Sequence, residues 1–415
     1  MNKDKFKYIC VMFPYPSGDG LHIGHFYNYA LTDSYCKMLK YQGYDVFQPF
    51  GYDAFGLPAE NYAKKVGRKA EDVTWENIIR FRKQMENMNT GFEELLVTCT
   101  PEYIKWTQWL FLKLKEHNLV YKAKGLVHYC PSCETVLANE QVKEKSCERC
   151  KTPVEQKELE QWYFKATAYT ERLLKNLEWI DYPTSTINAQ KRWLENHQDW
   201  CISRQRPWGC PIPIEGETDT IDTFVDSSFY FVRYCDFKNE KELCSKENYK
   251  QVDLYIGGSE HACMHLIYAR FIHMFLYDIG VVPTEEPFKK VIHQGMILNN
   301  GEKMSKSTGN VISPDEYDQD ELRFYLMFIG PYTEGGSWND NSLIGIKRFI
   351  SRMKIWFEQE DGNETCDVKT LEQKVFTNMN SFKFNKVVSE FMIFYNNNKN
   401  KKLNLETKQN ILNLL

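Results

Sequence analysis

The opening of the chain alternates between short apolar runs and one long amphipathic stretch. Tyr8-Ile-Cys-Val-Met-Phe13 is closed by a turn rich in Pro and Gly, Pro14-Tyr-Pro-Ser-Gly-Asp-Gly20, and residues 22–41 then place apolar side chains at helical spacing. This order predicts strand, loop and helix. A second strand-like run, Asp45-Val-Phe-Gln-Pro-Phe50, completes a βαβ unit. Parallel strands joined by a helix predict an α/β sheet that receives ligands at the carboxyl ends of its strands. Residues 75–118 read as helical, with Trp106, Trp109, Leu110, Leu112 and Leu114 on or near one face.

Residues from Cys130 to Cys150 are polar and lack a core periodicity of their own, and Gln161-Trp-Tyr-Phe-Lys-Ala-Thr167 then returns to an apolar pattern ahead of another helix. The polar module therefore interrupts a larger fold. A second α/β portion follows: a strand at Val252-Asp-Leu-Tyr-Ile256, a long helix from Glu260 to Asp278, a strand at Lys290-Val-Ile-His293 and a loop of Gly, Lys and Ser at 299–310. The two portions predict halves of one nucleotide-binding sheet. From Ser342 the pattern is helical, ending in an Asn/Lys-rich stretch, Asn396 to Lys402, and one short amphipathic segment. Roughly 70 helical residues are too few to close a bundle with its own full core.

Composition narrows the class. A chain of 415 residues with 42% hydrophobic and 26% charged positions is globular and long enough for two or three domains. Lys+Arg number 52 against 56 Asp+Glu, a net charge of -4. A polyanionic partner must then be held by local basic patches, which excludes a nucleic-acid coat protein. No apolar run approaches a membrane span, and the start, Met-Asn-Lys-Asp-Lys-Phe-Lys, lacks a signal peptide's apolar stretch. A soluble, cytoplasmic, monomeric protein without membrane contact is expected. Of 13 cysteines, four form two C-x-x-C pairs and nine are scattered. That pattern favours a metal site plus free thiols over disulfides.

Three motifs carry chemistry. His22-Ile-Gly-His25 opens a helix directly after Gly18 and Gly20. Helix N-terminal amides favour phosphate, glycine admits it closely, and histidines three apart share a face from which they can donate to its oxygens. Two histidines on a helix are by themselves more often packing or surface residues. Lys303-Met-Ser-Lys-Ser307, followed by Thr308 and Gly309, is a cationic loop of the kind that neutralises charge spreading over a phosphorus centre and its pyrophosphate leaving group. Either lysine alone would read as solvated surface; the joint occurrence with the histidine pair argues against coincidence. Cys130-Pro-Ser-Cys133 and Cys147-Glu-Arg-Cys150 have the spacing of a tetrahedral four-cysteine Zn2+ site. The alternative, a redox dithiol, usually has a single C-x-x-C at a helix start.

With these motifs the sequence resembles the class I aminoacyl-tRNA synthetases, and more closely the leucyl-tRNA synthetases. The likeness runs from Met12 to about Ser351 and includes Met12-Phe-Pro-Tyr-Pro-Ser-Gly18, Gly51-Tyr-Asp-Ala-Phe-Gly-Leu-Pro-Ala-Glu-Asn61, Thr223-Phe-Val-Asp-Ser-Ser228, Tyr255-Ile-Gly-Gly-Ser-Glu-His-Ala262 and His293-Gln-Gly-Met-Ile-Leu298. The resemblance implies an amino-acid site of Met12, Phe13, Tyr15, Asp53, Phe224, Ser227 and His265, with Asp53 suited to an α-ammonium group. Each aromatic residue is as readily a core residue. For ATP it implies Gly24, Gly257, Gly258, Glu260, His261, Gln294, Met304 and Ser305, and for catalysis His22, His25, Lys303 and Lys306, with Mg2+ bridging the phosphates. The cysteine module is expected to be structural, near the acceptor end of a tRNA.

The expected class is α/β: a split Rossmann-like parallel sheet in segments 1–121 and 216–341, a zinc module at 122–160, a connecting segment at 161–215 and a partial helical bundle at 342–415. The resemblance implies activation of leucine with ATP to leucyl-adenylate and transfer to tRNA(Leu). The family's editing domain is usually inserted near Gln190-Lys-Arg-Trp-Leu-Glu-Asn-His-Gln-Asp-Trp200, where this chain leaves no room for one. The chain begins about ten residues before the first shared block, and the family's helical bundle is still incomplete at Leu415, so a catalytic core with a helical stub is expected. Two other readings stand beside this one: an adenylate-forming relative that passes the acyl group to a carrier protein or small amine, and a non-catalytic nucleotide-binding protein. The second would be expected to have lost one of the two phosphate motifs.

Overall fold

The structure, a computed structural model, describes residues 5–16, 20–137, 141–304 and 309–415, with Pro58 by its backbone alone. In the first half, β1 (Phe6–Val11) leads to α1 (Ile23–Tyr41), β2 (Asp45–Phe47), β3 (Pro49–Tyr52), α2 (Leu57–Val66), α3 (Ala70–Asn87), β4 (Glu93–Val97) and α4 (Pro101–Glu116). Strands β5 (Val120–Cys130) and β6 (Glu155–Phe164) form a long antiparallel hairpin, followed by α5 (Thr184–Leu194). The second half holds β7 (Leu254–Gly258), α6 (His265–Asp278), β8 (Val291–Gln294) and α7 (Gln319–Phe328). Helices α8 (Asp340–Glu358), α9 (Val368–Asn380), α10 (Phe384–Asn398) and α11 (Leu405–Leu412) follow.

The central sheet has the order β8-β7-β1-β2, all parallel, so strands from both halves of the chain share it as the split pattern predicts. Its period of two sorts side chains into two cores. Tyr8, Cys10, Tyr255 and Val291 join the cluster with α4 and α6, while Ile9, Val11, Leu254, Ile256 and Ile292 join the cluster with α1, α3 and α7. Both faces are thus covered, as a parallel sheet requires.

Local expectations are corrected in four places. The run 45–50 is two strands, because Pro49 has no N–H to continue the β1 ladder; β3 instead pairs in parallel with β4. Strand β4 itself lies within residues expected to be helical. Asn89 with a φ of 49° turns the chain, and Glu93-Glu-Leu-Leu-Val97 takes its state from its β3 partner. Leu112 is 40% exposed, since only Trp106, Leu110 and Leu114 share the buried stripe at i, i+4, i+8. The helix expected from Glu260 begins at His265, with residues 259–261 forming a 3-10 turn.

The cysteine module sits at the tip of the β5–β6 hairpin, with Cys130 the last residue of β5. Between the end of α5 at Leu194 and Trp200, which pairs with Phe164 of β6, the chain crosses in a short link. The link is fastened at several points: His197 stacks on Trp193, and Asp199 accepts from the Tyr121 hydroxyl (3.0 Å) and the Thr167 amide (3.1 Å). The C-terminal helices do not close a separate core. Phe349, Trp356, Met379 and Phe391 belong to the same cluster as α1. Among the described residues no helix is long and apolar enough to cross a membrane.

A buried carboxylate joins these parts. Asp33, inside α1 and fully buried, accepts from the Gly91 amide (2.7 Å), Gln48 Nε2 (3.2 Å), Lys37 Nζ (2.9 Å) and Arg323 Nη1 of α7 (3.0 Å). Arg323 also donates to the Ala30 and Met88 carbonyls. Replacing Arg323 with Met should therefore cost about 3 kcal/mol, the lower end for stripping a partner from a buried charge because Lys37 remains. Denaturant unfolding of parent and variant measures it, and an unchanged midpoint would show that the hub carries no stability.

Candidate active site

The carboxyl ends of β1, β7 and β8 lie side by side, so residues 12–15, 257–265 and 293–294 converge there, where ligands of open α/β sheets bind. Ahead of α1, Gly20 turns with a φ of +98°. His22 is the N-cap of α1: the Gly24 amide donates to His22 Nδ1 (3.0 Å), and the His22 amide donates to His25 Nδ1 (3.2 Å). The ring centroids lie 3.9 Å apart, with the planes tilted by 33°. A Cβ on Gly24 would lie 2.8 Å from His22 Cε1, so only glycine lets the ring fold over the helix end. With Nδ1 accepting in both neutral rings, the proton resides on Nε2 in each. The pair thus caps its own helix at the positive helix end, where anions are favoured.

A cavity of about 270 Å³ at the carboxyl ends of β1 and β7 is lined by Met12, Phe13, Tyr15, Asp53, Phe224, Ser227 and His265, all seven residues expected for an amino acid. Tyr230, Tyr255 and His261 complete the lining. Sequence reasoning passed over Tyr230 and Tyr255, although Tyr230 lies three positions beyond Ser227 and Tyr255 two positions before Gly257. The Tyr230 ring packs 3.9 Å from that of Phe13, and its hydroxyl donates to the Val11 carbonyl.

Asp53 is 1% exposed and accepts from Thr223 Oγ1 (2.9 Å) and from Tyr15. Burial pushes its carboxyl up to about 8, with Asp222 adding to the rise and the hydrogen bonds from Thr223 and Tyr15 opposing it. His265, 5% exposed with Nε2 unpartnered, is pushed down to about 3 by burial and by neighbouring His261, so the ring is neutral. The cavity is therefore apolar and aromatic, with a single carboxyl able to take a cation.

On the other side, Gly257 and Gly258 are buried in β7 and Glu260 reaches the surface. Burial raises the Glu260 carboxyl, but His261, its own amide, Lys303 and His293 outweigh that and hold it below the usual range. Gln294 is fixed by Asn28 Nδ2, which donates to its Oε1 (3.0 Å). His293 Nδ1 lies 3.1 Å from the Gly257 carbonyl and its buried Nε2 has no partner. Lys303 is exposed, whereas the Met304 side chain is packed into the core below it. Gly18, Ser305, Lys306, Ser307 and Thr308 lie outside the described residues.

A second cavity, about 490 Å³, shares Tyr15 and Phe224 with the first and runs past Phe55 and Trp208 to Arg149 of the cysteine module. Two further arginines line it, Arg204 paired with Asp222 (2.6 Å) and Arg206 paired with Glu60 (3.1 Å). At the module itself the sulfurs of Cys130, Cys133, Cys147 and Cys150 lie within 4.8 Å of one another. Tetrahedral Zn–S bonds of about 2.3 Å put sulfurs about 3.8 Å apart, so the cluster fits a metal. The Cys133 amide and Asn61 Nδ2 point N–H groups at the sulfurs of Cys130 and Cys133, as thiolate ligands require.

Residues 7–347 match the family model described as tRNA synthetases class I (M). A leucine–tRNA ligase of Caldanaerobacter subterraneus subsp. tengcongensis is 32% identical across 86% of this chain and 74% of its own length. One from Clostridium perfringens is 31% identical across 94% and 79%. The first alignment runs over 609 positions although the chain has 415 residues, so that relative carries internal segments with no counterpart here. Among solved structures, the Agrobacterium radiobacter K84 agnB2 LeuRS in a complex with tRNA and LeuAMS superposes with a TM-score of 0.89 at 25% identity, covering 98% of this chain and 82% of that one. A Mycobacterium tuberculosis methionyl-tRNA synthetase shares the fold, with a TM-score of 0.78 at 20% identity over 99% of this chain and 88% of its own.

The raised Asp53 carboxyl has a consequence for stability. Unfolded aspartate titrates near 3.9, so the folded state binds the extra proton between about pH 4 and pH 8, and this group's contribution to stability falls as pH rises through that window. Asn at position 53 removes the penalty. The difference in Tm between Asp53→Asn and parent should grow from pH 4 to pH 8 and level off above it; a difference independent of pH would contradict the assignment.

Proposed function

The chain belongs to the class I tRNA synthetases, and we propose that it activates leucine with ATP to leucyl-adenylate and transfers the leucyl group to tRNA(Leu). The observation that carries this reading is the small aromatic cavity that holds one buried carboxyl where β1 ends, in a chain whose next helix, α1, opens on the histidine cap. The leucine ammonium supplies the positive charge that draws Asp53 into its ionised form, and the isobutyl group meets Met12, Phe13, Phe224 and Tyr230. ATP enters as its Mg2+ complex. Gly257 and Gly258 admit the ribose closely, and the ionised Glu260 accepts from its hydroxyls. His22 and His25 donate from Nε2 to phosphate oxygens while the leucine carboxylate attacks the α-phosphorus and pyrophosphate leaves. Lys303, with Lys306, neutralises the charge that develops. The protein forms no covalent intermediate; its contribution is position and field.

The second cavity gives the acceptor strand a route past Arg149 to the adenylate. The four thiolates would hold Zn2+, whose chemistry there is structural: it ties the hairpin tip into one rigid piece. Amino-acid-dependent ATP–pyrophosphate exchange over all twenty amino acids, with and without tRNA, tests the reading. Leucine should be the best substrate, and exchange with no amino acid would overturn it.

Two further outcomes are expected. Freshly reduced protein should contain one zinc per chain, and its removal by chelation should lower Tm and slow acyl transfer more than adenylate formation. Metal-free protein with the same Tm would refute the zinc assignment. An apolar pocket separates analogues differing by one methylene by only about 10–200-fold, and the link between Leu194 and Trp200 holds no hydrolytic domain. Preformed isoleucyl- or norvalyl-tRNA should therefore be deacylated no faster than spontaneously; enzyme-dependent loss would reveal a hydrolytic site within the core.

A further inference from the structure

Two hydrogen-bonded links join the turn that carries His22 to the chain leaving the 303–309 loop. One is backbone alone: the Ile23 amide donates to the Ile312 carbonyl at 3.2 Å. The other passes through a single side chain of α3, a helix distant in sequence from both motifs. Gln84 is 3% exposed; its Oε1 accepts from the Leu21 amide at 2.7 Å, and its Nε2 donates to Asp315 Oδ2 at 2.8 Å. Each end of one amide therefore holds the flank of a different phosphate motif.

The surroundings are shaped to admit that amide. A Cβ on Gly20 would lie 2.8 Å from Gln84 Oε1, and Gly20 also has a positive φ, so the turn requires glycine on both counts. The Leu21 amide directly precedes the N-cap of α1, where an unpaired donor would be left buried. Asp315 is positioned in its turn by Ser313 Oγ, which accepts from the Asp315 amide. An apolar residue at 84 could fill the space but could not serve both groups.

We propose that Gln84 is a positioning residue for adenylate formation, holding the N-terminus of α1 in register with the segment that follows the lysine loop. Gln84 lines neither of the two cavities. The inference rests on the reading of these motifs as phosphate-binding groups, because only groups acting on one phosphorus centre need so strict an alignment. A displacement of roughly 1 Å in such an arrangement can cost about 10²-fold in rate.

The test is leucine-dependent ATP–pyrophosphate exchange by the full chain and by Gln84→Ala, Gln84→Glu, Asp315→Asn and the double variant Gln84→Glu/Asp315→Asn. Gln84→Glu sets two carboxylates against each other. In the double variant the roles are exchanged, the carboxylate accepting from both the Leu21 amide and the introduced asparagine. The expected result is a fall in kcat of roughly 10- to 100-fold for Gln84→Ala and Gln84→Glu, with leucine Kd by calorimetry within about twofold of the parent. Asp315→Asn alone should stay near the parent, and the double variant should recover to within about threefold of it. Parental kcat in Gln84→Ala and Gln84→Glu, or a double variant as slow as Gln84→Glu, would overturn the proposal. If both single variants at 84 are unfolded by circular dichroism, Asp315→Ala cuts the link at its exposed end; a kcat loss of roughly tenfold supports the proposal, and parental kcat overturns it. A parent without leucine-dependent exchange would instead sink the functional reading and this inference with it, whereas an active parent with indifferent variants sinks the inference alone.

Discussion

The hydrogen bonds that pair β1 with β7, continued by the Met12 amide to the Ile256 carbonyl at 3.0 Å, bring together stretches of chain separated by the whole hairpin module. That pairing sets residues 12–15 beside 257–265, and both the proposed amino-acid cavity and the proposed ribose cradle are built where these strands end. It also fixes which side chains face which core, because a slip of one residue would exchange Tyr8 and Cys10 for Ile9 and Val11. The helix α1, with its histidine-capped N-terminus, is held against the sheet by the second of those cores. The site is therefore a property of the sheet register before it is a property of any one side chain.

Against this rigid frame, the electrostatics of the cavity are deliberately incomplete. A carboxyl as deeply buried as Asp53 would ordinarily be paired, as Asp33 is with Arg323 or Asp222 with Arg204. Asp53 has only neutral donors, Thr223 and Tyr15, so burial wins and the proton is retained to about pH 8. A pocket that keeps one acidic group without a cation gives up stability in the empty state and regains it when a cation arrives, a trade common at binding sites. The neutral His265 across the cavity follows the same logic, since a charged imidazole there would compete with an incoming ammonium.

The hairpin and the short link after α5 show how the fold accommodates a compact connection between its halves. Trp200 stacks flat on Tyr268 at 3.8 Å and donates from its indole to Asp222, so the residues that follow the link are anchored in the main core. The cysteine cluster lies at the far end of the same hairpin, beside Leu57 at the start of α2. A rigid tip there would steady the wall of the second cavity, the route proposed for the acceptor strand.

Much of the site was legible from local pattern. The histidine pair and the cysteine pairs declare themselves through fixed spacings on a single turn or knuckle, and the residues of the aromatic cavity through short blocks shared with a known family. These signals survive without knowledge of the fold because their geometry is set within a few residues. What the tertiary structure alone decided is non-local. Glu93-Glu-Leu-Leu-Val97 became a strand because β3, freed from the main sheet by Pro49, offered it a partner. Gln84 sits in a helix that looks like many others, and its role emerges only where Leu21 and Asp315 meet on either side of it. The elevated titration of Asp53 likewise depends on how completely the surrounding chain excludes water. Spacing along a chain encodes contacts within a turn or two, whereas strand pairing, burial and bridging hydrogen bonds depend on what the rest of the chain brings alongside.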